Sequence, residues 1–376
     1  MFYKDVIGQD FIKTRMRKSA QAGRIAHAIL ISEHQVSGAF ALAWAYARYL
    51  QCTNRSDEDA CGKCASCIQI SKMAHPDVHL SFPIIGDESK KLGSDHFLPE
   101  WRSLSLKRAY FDLNDWLSTL NDDKKAPIIS AREAESILHK TLLKTFNSPW
   151  KIVIIWMAER MNSAAANKLL KVIEEPEPGT VFILLVRSTE RVLPTILSRC
   201  QEIHLPTLSE IEISEYLEKS HSVTEEMAKL ASRFCDGDVA RAYRLAHTDV
   251  SLEEFAAEFV NWSRMCYNAR LIEIVPWINT MSSHSREGLL AFFNFSSFLF
   301  KESLGERILQ SGFSHPSFQK VEFRMEGFAR LFSPVRLQRM LDALDLAHHE
   351  IRRNLNPKPV LFALSTELMR TYKMKE

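Results

Sequence analysis

The chain has 376 residues, too many for one ordinary core, and 46% of them are hydrophobic, enough for two or three domains. Lys+Arg at 48 nearly balance Asp+Glu at 46, so a net charge of +2 excludes a global field for nucleic acid and leaves only local contacts. No apolar run reaches the length of a membrane span, and Met1-Phe2-Tyr3-Lys4-Asp5 lacks the basic and apolar regions of a signal peptide, which predicts a cytoplasmic protein.

The first segment, through Ile12 and Met16, has helical character and leads to His27-Ala28-Ile29-Leu30-Ile31, an apolar run that predicts the first core strand. Ser32 to Phe40 follows, then an apolar helix through Ala41, Leu42, Ala45, Tyr46 and Tyr49. A phosphate loop belongs in this place. It needs glycines that let backbone N–H groups cradle phosphate, a lysine for the outer phosphates and a Ser/Thr hydroxyl on Mg²⁺. Only Gly38 is present. With Gly38 as the glycine before the lysine, the lysine position is Ala39, the hydroxyl position is Phe40 and the leading glycine is Glu33. Ala39 forgoes a charge-assisted bond of about 1.5–3 kcal/mol, Phe40 forgoes the metal hydroxyl, and Glu33 brings a carboxylate to where phosphate anions would lie. The expectation is a strand-turn-helix with no ATP of its own.

Four of the seven cysteines lie in Cys52-x8-Cys61-x2-Cys64-x2-Cys67, and thiolates this close can surround one tetrahedral Zn²⁺. Gly62, Lys63 and Ser66 suit the tight turns of a zinc knuckle, and with all four positions filled by protein the metal is structural. An iron–sulfur site and unligated thiols are the rivals; the Cys-Pro partner run of a ferredoxin is missing. His75 could stand in for Cys52 but reads better as a loop residue before the strand Val78-His79-Leu80.

Residues 84–127 are polar, broken by Gly86, Gly93, Pro99 and Pro127, and read as an insertion with helical character around Tyr110 to Leu120. Its Trp101, Tyr110, Phe111 and Trp116 predict a small satellite core rather than a docking patch. The chain rejoins the domain at Ile128-Ile129-Ser130, and Ala131 to Phe146 predicts a helix with Ile137, Leu138, Thr141 and Leu142 inward.

Lys151 to Leu205 reads as strand, helix, strand, helix, strand. Ile152 to Ile155 and Thr180 to Val186 are runs suited to strands buried on both faces. Between them Asn162 is an N-cap, Met161, Ala165, Leu169, Leu170 and Ile173 share a helical face, and Pro176 after Glu174-Glu175 ends it. This βαβ order implies right-handed crossovers and a parallel sheet covered by helices, the architecture of nucleotide-handling domains. A nucleotide strand would end in an Asp for Mg²⁺ and a Glu for the attacking water; this one ends in Trp156 and Met157, and Glu159 reads as a solvated residue. A short helix through Val192, Ile196 and Leu197 ends in Ser198-Arg199-Cys200, with Cys200 a packing residue.

Ser209 to His247 predicts three short helices with Gly237 at a turn, and from about Val250 the pattern is helical to the end. Phe292, Phe293, Phe295, Phe298 and Phe300 mark a core there. A long helix carries Leu337, Met340, Leu341, Leu344, Ile351 and Leu355, and Pro357 and Pro359 separate it from a final helix through Leu361, Leu364 and Leu368.

Taken together, His27-Ala28-Ile29-Leu30, the cysteine knuckle, Ala164 to Pro176 and Leu193-Pro194-Thr195-Ile196-Leu197-Ser198-Arg199-Cys200 closely resemble bacterial clamp-loader subunits of the AAA+ family. The resemblance covers roughly residues 1–250 and extends more weakly through Asn354-Leu355-Asn356-Pro357-Lys358; the insertion has no counterpart. It implies a P-loop NTPase-like α/β domain over 1–205, a helical lid over 206–249 and an all-α collar over 250–376. It also implies a hetero-pentamer with ATPase motor subunits and a delta subunit, which loads the sliding clamp on primer-template DNA for DNA polymerase III. In that family ATP sits between neighbours and the Ser-Arg-Cys arginine, here Arg199, is a finger reaching the neighbour's γ-phosphate. The residues at Ala39, Phe40, Trp156 and Met157 are those of a subunit that lends an arginine and hydrolyses nothing. The rival functions are an active motor-type ATPase with an atypical loop and a zinc-dependent DNA-binding protein with a vestigial ATPase fold; the near-zero charge argues against the second.

Overall fold

A computed structural model describes residues 1–85, 93–120, 126–146, 148–247, 252–309, 323–353 and 355–374. The chain divides into two compact units, Met1–Tyr243 and Arg244–Glu376.

The first unit is built on five parallel strands: β1 (Ala28–Glu33), β2 (Val78–Ser81), β3 (Lys151–Trp156), β4 (Thr180–Val186) and β5 (Gln201–Leu205), in the spatial order β2-β3-β4-β1-β5. The register sets Phe182 beside both Ala28 and Val153, and Leu184 beside both Leu30 and Ile155. Because side chains alternate along a strand, these six residues share one face, and none exceeds 1% exposure. Its helices in chain order are α1 (Asp10–Gln21), α2 (Ala39–Gln51), α3 (Ala65–Ser71), α4 (Leu98–Lys107), α5 (Leu113–Leu120), α6 (Ala131–Leu142), α7 (Ser163–Glu174), α8 (Pro194–Leu197), α9 (Glu210–His221), α10 (Glu225–Phe234) and α11 (Val239–Ala246), the last running on past Tyr243. Ala134 and Ile137 of α6, Ala165 and Leu169 of α7, and Ile196 of α8 close over that face. Helix α2 packs against β1, β3 and β4 and is buried along its whole length. This is the predicted AAA+-like α/β architecture, with both faces of a parallel sheet covered.

Local chemistry accounts for the element ends. The Asn162 side chain accepts the Ala165 N–H as the predicted N-cap of α7, and Ser209 with Glu212 forms a capping box at α9. Three expectations need correction. In the insertion the helices are α4 and α5, and Tyr110 to Asp112 form the turn between them; Gly86 lies outside the described residues. Helix α6 stops at Leu142, which is 71% exposed rather than inward, because the backbone turns extended at Leu143; Lys151 Nζ donates to the Thr141 carbonyl at the helix end at 2.7 Å. Glu159 is not a solvated residue: its carboxylate accepts the Arg187 N–H at 3.2 Å, and burial raises its pKa.

The second unit contains α12 (Leu252–Tyr267), α13 (Leu271–Met281), α14 (Arg286–Leu309), α15 (Met325–Ala329), α16 (Pro334–Arg352) and α17 (Pro357–Lys373) among its described residues. Its core is aromatic: Trp262 stacks on Trp277 with centroids 5.7 Å apart, Phe259 packs edge-on to Phe300 at 5.7 Å, and Phe292, Phe293 and Phe295 are buried. The Trp262 indole N–H donates to Ser365 Oγ at 2.9 Å, so the one polar atom of that ring is satisfied inside the core. Pro357 opens α17 at its first turn, where a missing N–H costs nothing, and Asn356 caps it. Leu355 lies beyond the end of α16 and is half-exposed, while Asn354 is outside the described residues. No helix among the described residues is long and apolar enough to cross a membrane.

Candidate functional site

The loop after β1 leaves the carboxyl end of the sheet, where open α/β folds bind ligands. Gly38 adopts φ +115°, a left-handed conformation that turns the chain into α2, and the N–H groups of Ser37, Gly38 and Ala39 converge on a single point. That point is Oε2 of Glu33, which accepts all three at 2.9 Å. The three N–H groups thus form a cradle of the kind that holds an anion, and its occupant is a carboxylate of the same chain. Glu33 is buried, and burial raises its pKa, offset in part by Arg187 and the N–H bonds of Ala39 and Ser37. The sequence places this carboxylate beside phosphate anions, and the fold puts it in their place.

Aromatic rings pack beside this loop. Phe40, at the hydroxyl position, lies 5.2 Å from Phe111 and 5.6 Å from Trp101. Trp156, at the carboxylate position of β3, lies 5.0 Å from Trp101 and 5.4 Å from Phe111. Trp101 stacks on Phe82 at 4.1 Å, and Trp116 packs edge-on against both. The insertion's aromatics thus belong to the main core and not to a satellite one, with Phe40 and Trp156 as their partners. Tyr110 of the same insertion lies against Gly38, whose Cβ, if present, would sit 3.1 Å from its ring. Its hydroxyl accepts the Ile7 N–H at 2.8 Å, and its ring meets Tyr216 of α9 at 5.1 Å. The same loop is tied to the helical segment by the Val239 N–H on the Val36 carbonyl at 3.0 Å, and Asp238 Oδ2 accepts the Val36 N–H at 3.2 Å.

Arg199 stands one residue past the C-cap of α8, at the surface. Its Nη1 donates to the Thr195 carbonyl at 2.9 Å and to Ser198 Oγ at 3.3 Å, and Nη2 donates to Glu174 Oε1 at 2.8 Å. The bond to Glu174 raises the arginine's pKa and lowers the glutamate's. Ser198 therefore orients the guanidinium. Cys200 is half-buried against the α7–α8 core, and burial pushes its thiol up to about 11, so it stays protonated and packs rather than reacts.

The four knuckle cysteines come together as their spacing implies. Their Sγ atoms all lie within 4.8 Å of one another, with Cys52 and Cys64 at 4.0 Å; sulfurs around tetrahedral zinc at about 2.3 Å lie about 3.8 Å apart. Backbone N–H groups point at the sulfurs: Cys61 donates to Cys52 Sγ at 3.2 Å, and Lys63 and Cys64 donate to Cys61 Sγ at 3.4 Å. Those last two bonds lower the pKa of the Cys61 thiol, while burial raises those of Cys52 and Cys67. Gly62 takes φ +73° in the turn between Cys61 and Cys64. His75 is buried apart, accepting the Asp77 N–H on Nδ1 at 3.1 Å. Reading the sequence misses Arg48, whose Nη2 donates to the Cys67 carbonyl at 2.9 Å; the available signal is a lone charge in the apolar run Ala39 to Gln51.

With this geometry in hand, comparisons carry the chain further. A family model described as DNA polymerase III, delta subunit, matches residues 8–209. The chain is 32% identical to DNA polymerase III subunit delta′ of Haemophilus influenzae over 206 residues, 55% of this chain and 50% of that one. It is 29% identical to the Bacillus subtilis subunit delta′ over 238 residues, 63% of this chain and 59% of the relative. The matched region thus spans between half and three-fifths of these relatives' length. A crystal structure of a DNA polymerase III gamma-subunit-related protein from Thermotoga maritima aligns over 96% of this chain and 99% of its own, at 17% identity and a TM-score of 0.43.

Proposed function

Given that the chain belongs to the clamp-loader delta′ family of DNA polymerase III, we propose that it is a non-hydrolysing subunit of the loader, acting in ATP-driven loading of the sliding clamp on primed DNA during replication. The observation that carries this reading is the Glu33 carboxylate in the phosphate cradle. A negative charge with three backbone donors meets the need that a β-phosphate would otherwise meet, and a phosphate entering there would face both the carboxylate and the loss of its bonds. Phe40 and Trp156 support it from the metal side, since neither can bind Mg²⁺. An active ATPase with an atypical loop would need the cradle open.

In this reading the chain acts through its neighbours. Arg199 is a finger in trans, with Ser198 as its orienting partner, and neutralises charge on the phosphoryl group in an adjacent motor subunit's site. Its partners are the motor and delta subunits of a hetero-pentamer, and through them the clamp and primer-template DNA. The second unit serves as the collar that holds the ring, and the site of action is the cytoplasm. The cysteine knuckle holds one structural Zn²⁺, which supplies a crosslink and no chemistry; Cys52, Cys61, Cys64 and Cys67 fit it by number, spacing and N–H···S bonds.

Nucleotide titration of the isolated chain tests the central point. No MgATP binding is expected at micromolar concentrations, whereas micromolar affinity with turnover would sink the reading. Co-purification with the other loader subunits is the accompanying expectation.

A further inference from the structure

Arg48 is the only charged residue of α2, and its side chain is buried, at 3% exposure. Its contacts are dipolar. Nη2 donates to the Cys67 carbonyl at 2.9 Å, Nη1 donates to the Met1 carbonyl at 3.1 Å, and the guanidinium carbon lies 3.9 Å from the centre of the Phe2 ring. Nε is buried with no acceptor, and among the described residues no carboxylate bonds the side chain. Guanidinium does not deprotonate in proteins, so this is a permanent positive charge that carbonyls and a ring face only partly compensate.

Two of the three contacts of Arg48 lead to the cysteines. Cys67 is a knuckle residue, and Phe2 packs on the cluster of Cys52, Ala60 and Cys67. Phe2 also presses on the knuckle turn, since a Cβ at Gly62 would sit 2.9 Å from its ring. Four neutral thiols offer Arg48 nothing. Four thiolates on a divalent cation carry a net charge of −2, that is, +2 from the metal and −4 from sulfur. We propose that Arg48 is the built-in counter-charge of the metal-loaded knuckle, a positioning residue that favours the tetrathiolate through its charge and holds Cys67 through the carbonyl. This inference rests on the zinc reading above.

The test uses the full-length chain, zinc-loaded and chelator-stripped, with Arg48→Gln and Arg48→Lys. Zinc affinity is measured by competition with a chromophoric chelator, and thermal melting is followed in both forms. Arg48→Gln should weaken zinc about 10–100-fold, the usual cost of losing a partner behind the ligands, and should lower the melting temperature of the loaded form more than that of the stripped form. Arg48→Lys, which keeps the charge and loses the fork, should hold zinc within about 10-fold of the unsubstituted chain. A residue that merely packs would lower both melting temperatures alike, and that result, or an unchanged zinc affinity in Arg48→Gln, overturns the inference while leaving the zinc reading intact. If Arg48→Gln does not fold, a loss of more than about 100-fold in Arg48→Lys overturns it instead. An unsubstituted chain that binds no zinc removes both.

Discussion

The guanidinium of Arg199 rests on the carboxylate of Glu174, Nη2 to Oε1 at 2.8 Å, joining the end of α8 to the end of α7. The pair is solvent-accessible, and exposed ion pairs exchange partners readily. Arg199 is thus oriented by Thr195, Ser198 and Glu174 without being committed to them.

Arg199→Ala should leave the fold and assembly of the loader unchanged, because the side chain contributes only surface bonds. In the reconstituted loader, turnover at the site it faces should fall by about 10³–10⁵, the range for a lost arginine finger, and DNA-stimulated ATPase should drop by that site's share. Steady-state phosphate release measures it; an unaltered rate removes Arg199 from the chemistry.

Glu33→Ala leaves the N–H groups of Ser37, Gly38 and Ala39 buried without an acceptor. At about 1–3 kcal/mol for each orphaned group, the variant should lose about 3 kcal/mol or more in urea unfolding. Sulfate should raise its midpoint more than that of the unsubstituted chain, since the vacated cradle is an anion site at a helix N-terminus. Equal stability of the two chains would mean that the carboxylate does not hold the loop.

Metal analysis of the purified chain should give about one zinc per chain and no iron. Stripping it should open four thiols to a thiol reagent and lower the melting temperature, because sulfurs in close contact lose their common partner. Iron in its place, or four thiols reactive before stripping, would refute the knuckle as a zinc site.

His79 on β2 gives a pH dependence with a definite sign. Burial, reinforced by Lys140 and Lys151, holds its pKa down to about 4 from an ordinary 6.5. The unfolded chain takes up this proton near pH 6.5 and the folded chain does not until near pH 4. Its contribution is therefore complete above pH 6.5 and is lost as pH falls toward 4, reaching about 3 kcal/mol. Urea midpoints of the unsubstituted chain and His79→Gln across this range should converge at low pH; parallel curves would show that His79 is not the group responsible.

Much of this protein is written locally. The apolar runs at Ile29 to Ile31, Ile152 to Ile155 and Val181 to Val186 become strands suited to a sheet buried on both faces, and Asn162 and Ser209 cap their helices within three residues of chain. Cys61, Cys64 and Cys67 meet because turns of two residues leave little room for another outcome, and Cys52 joins them across eight residues. In the insertion, helical periodicity shows α5, but the Trp and Phe positions of residues 101–116 have no local signal for where their rings go.

Only the tertiary structure decided three things. The sequence puts Ala39 and Phe40 where a phosphate loop would carry its lysine and hydroxyl; the fold alone shows that Glu33 takes three loop N–H groups, because these vectors converge only once Gly38 has turned the chain into α2. Phe40, Trp101, Phe111 and Trp156 meet across more than a hundred residues of chain, and aromatic packing is set by which surfaces the sheet and insertion bring together. Arg48 looks like an isolated charge in an apolar helix until Cys67 and Phe2 close around it. Local chemistry fixes strands, caps and turns because its partners lie a few residues away. The partners of a buried charge come from distant parts of the chain, and only the completed fold selects them.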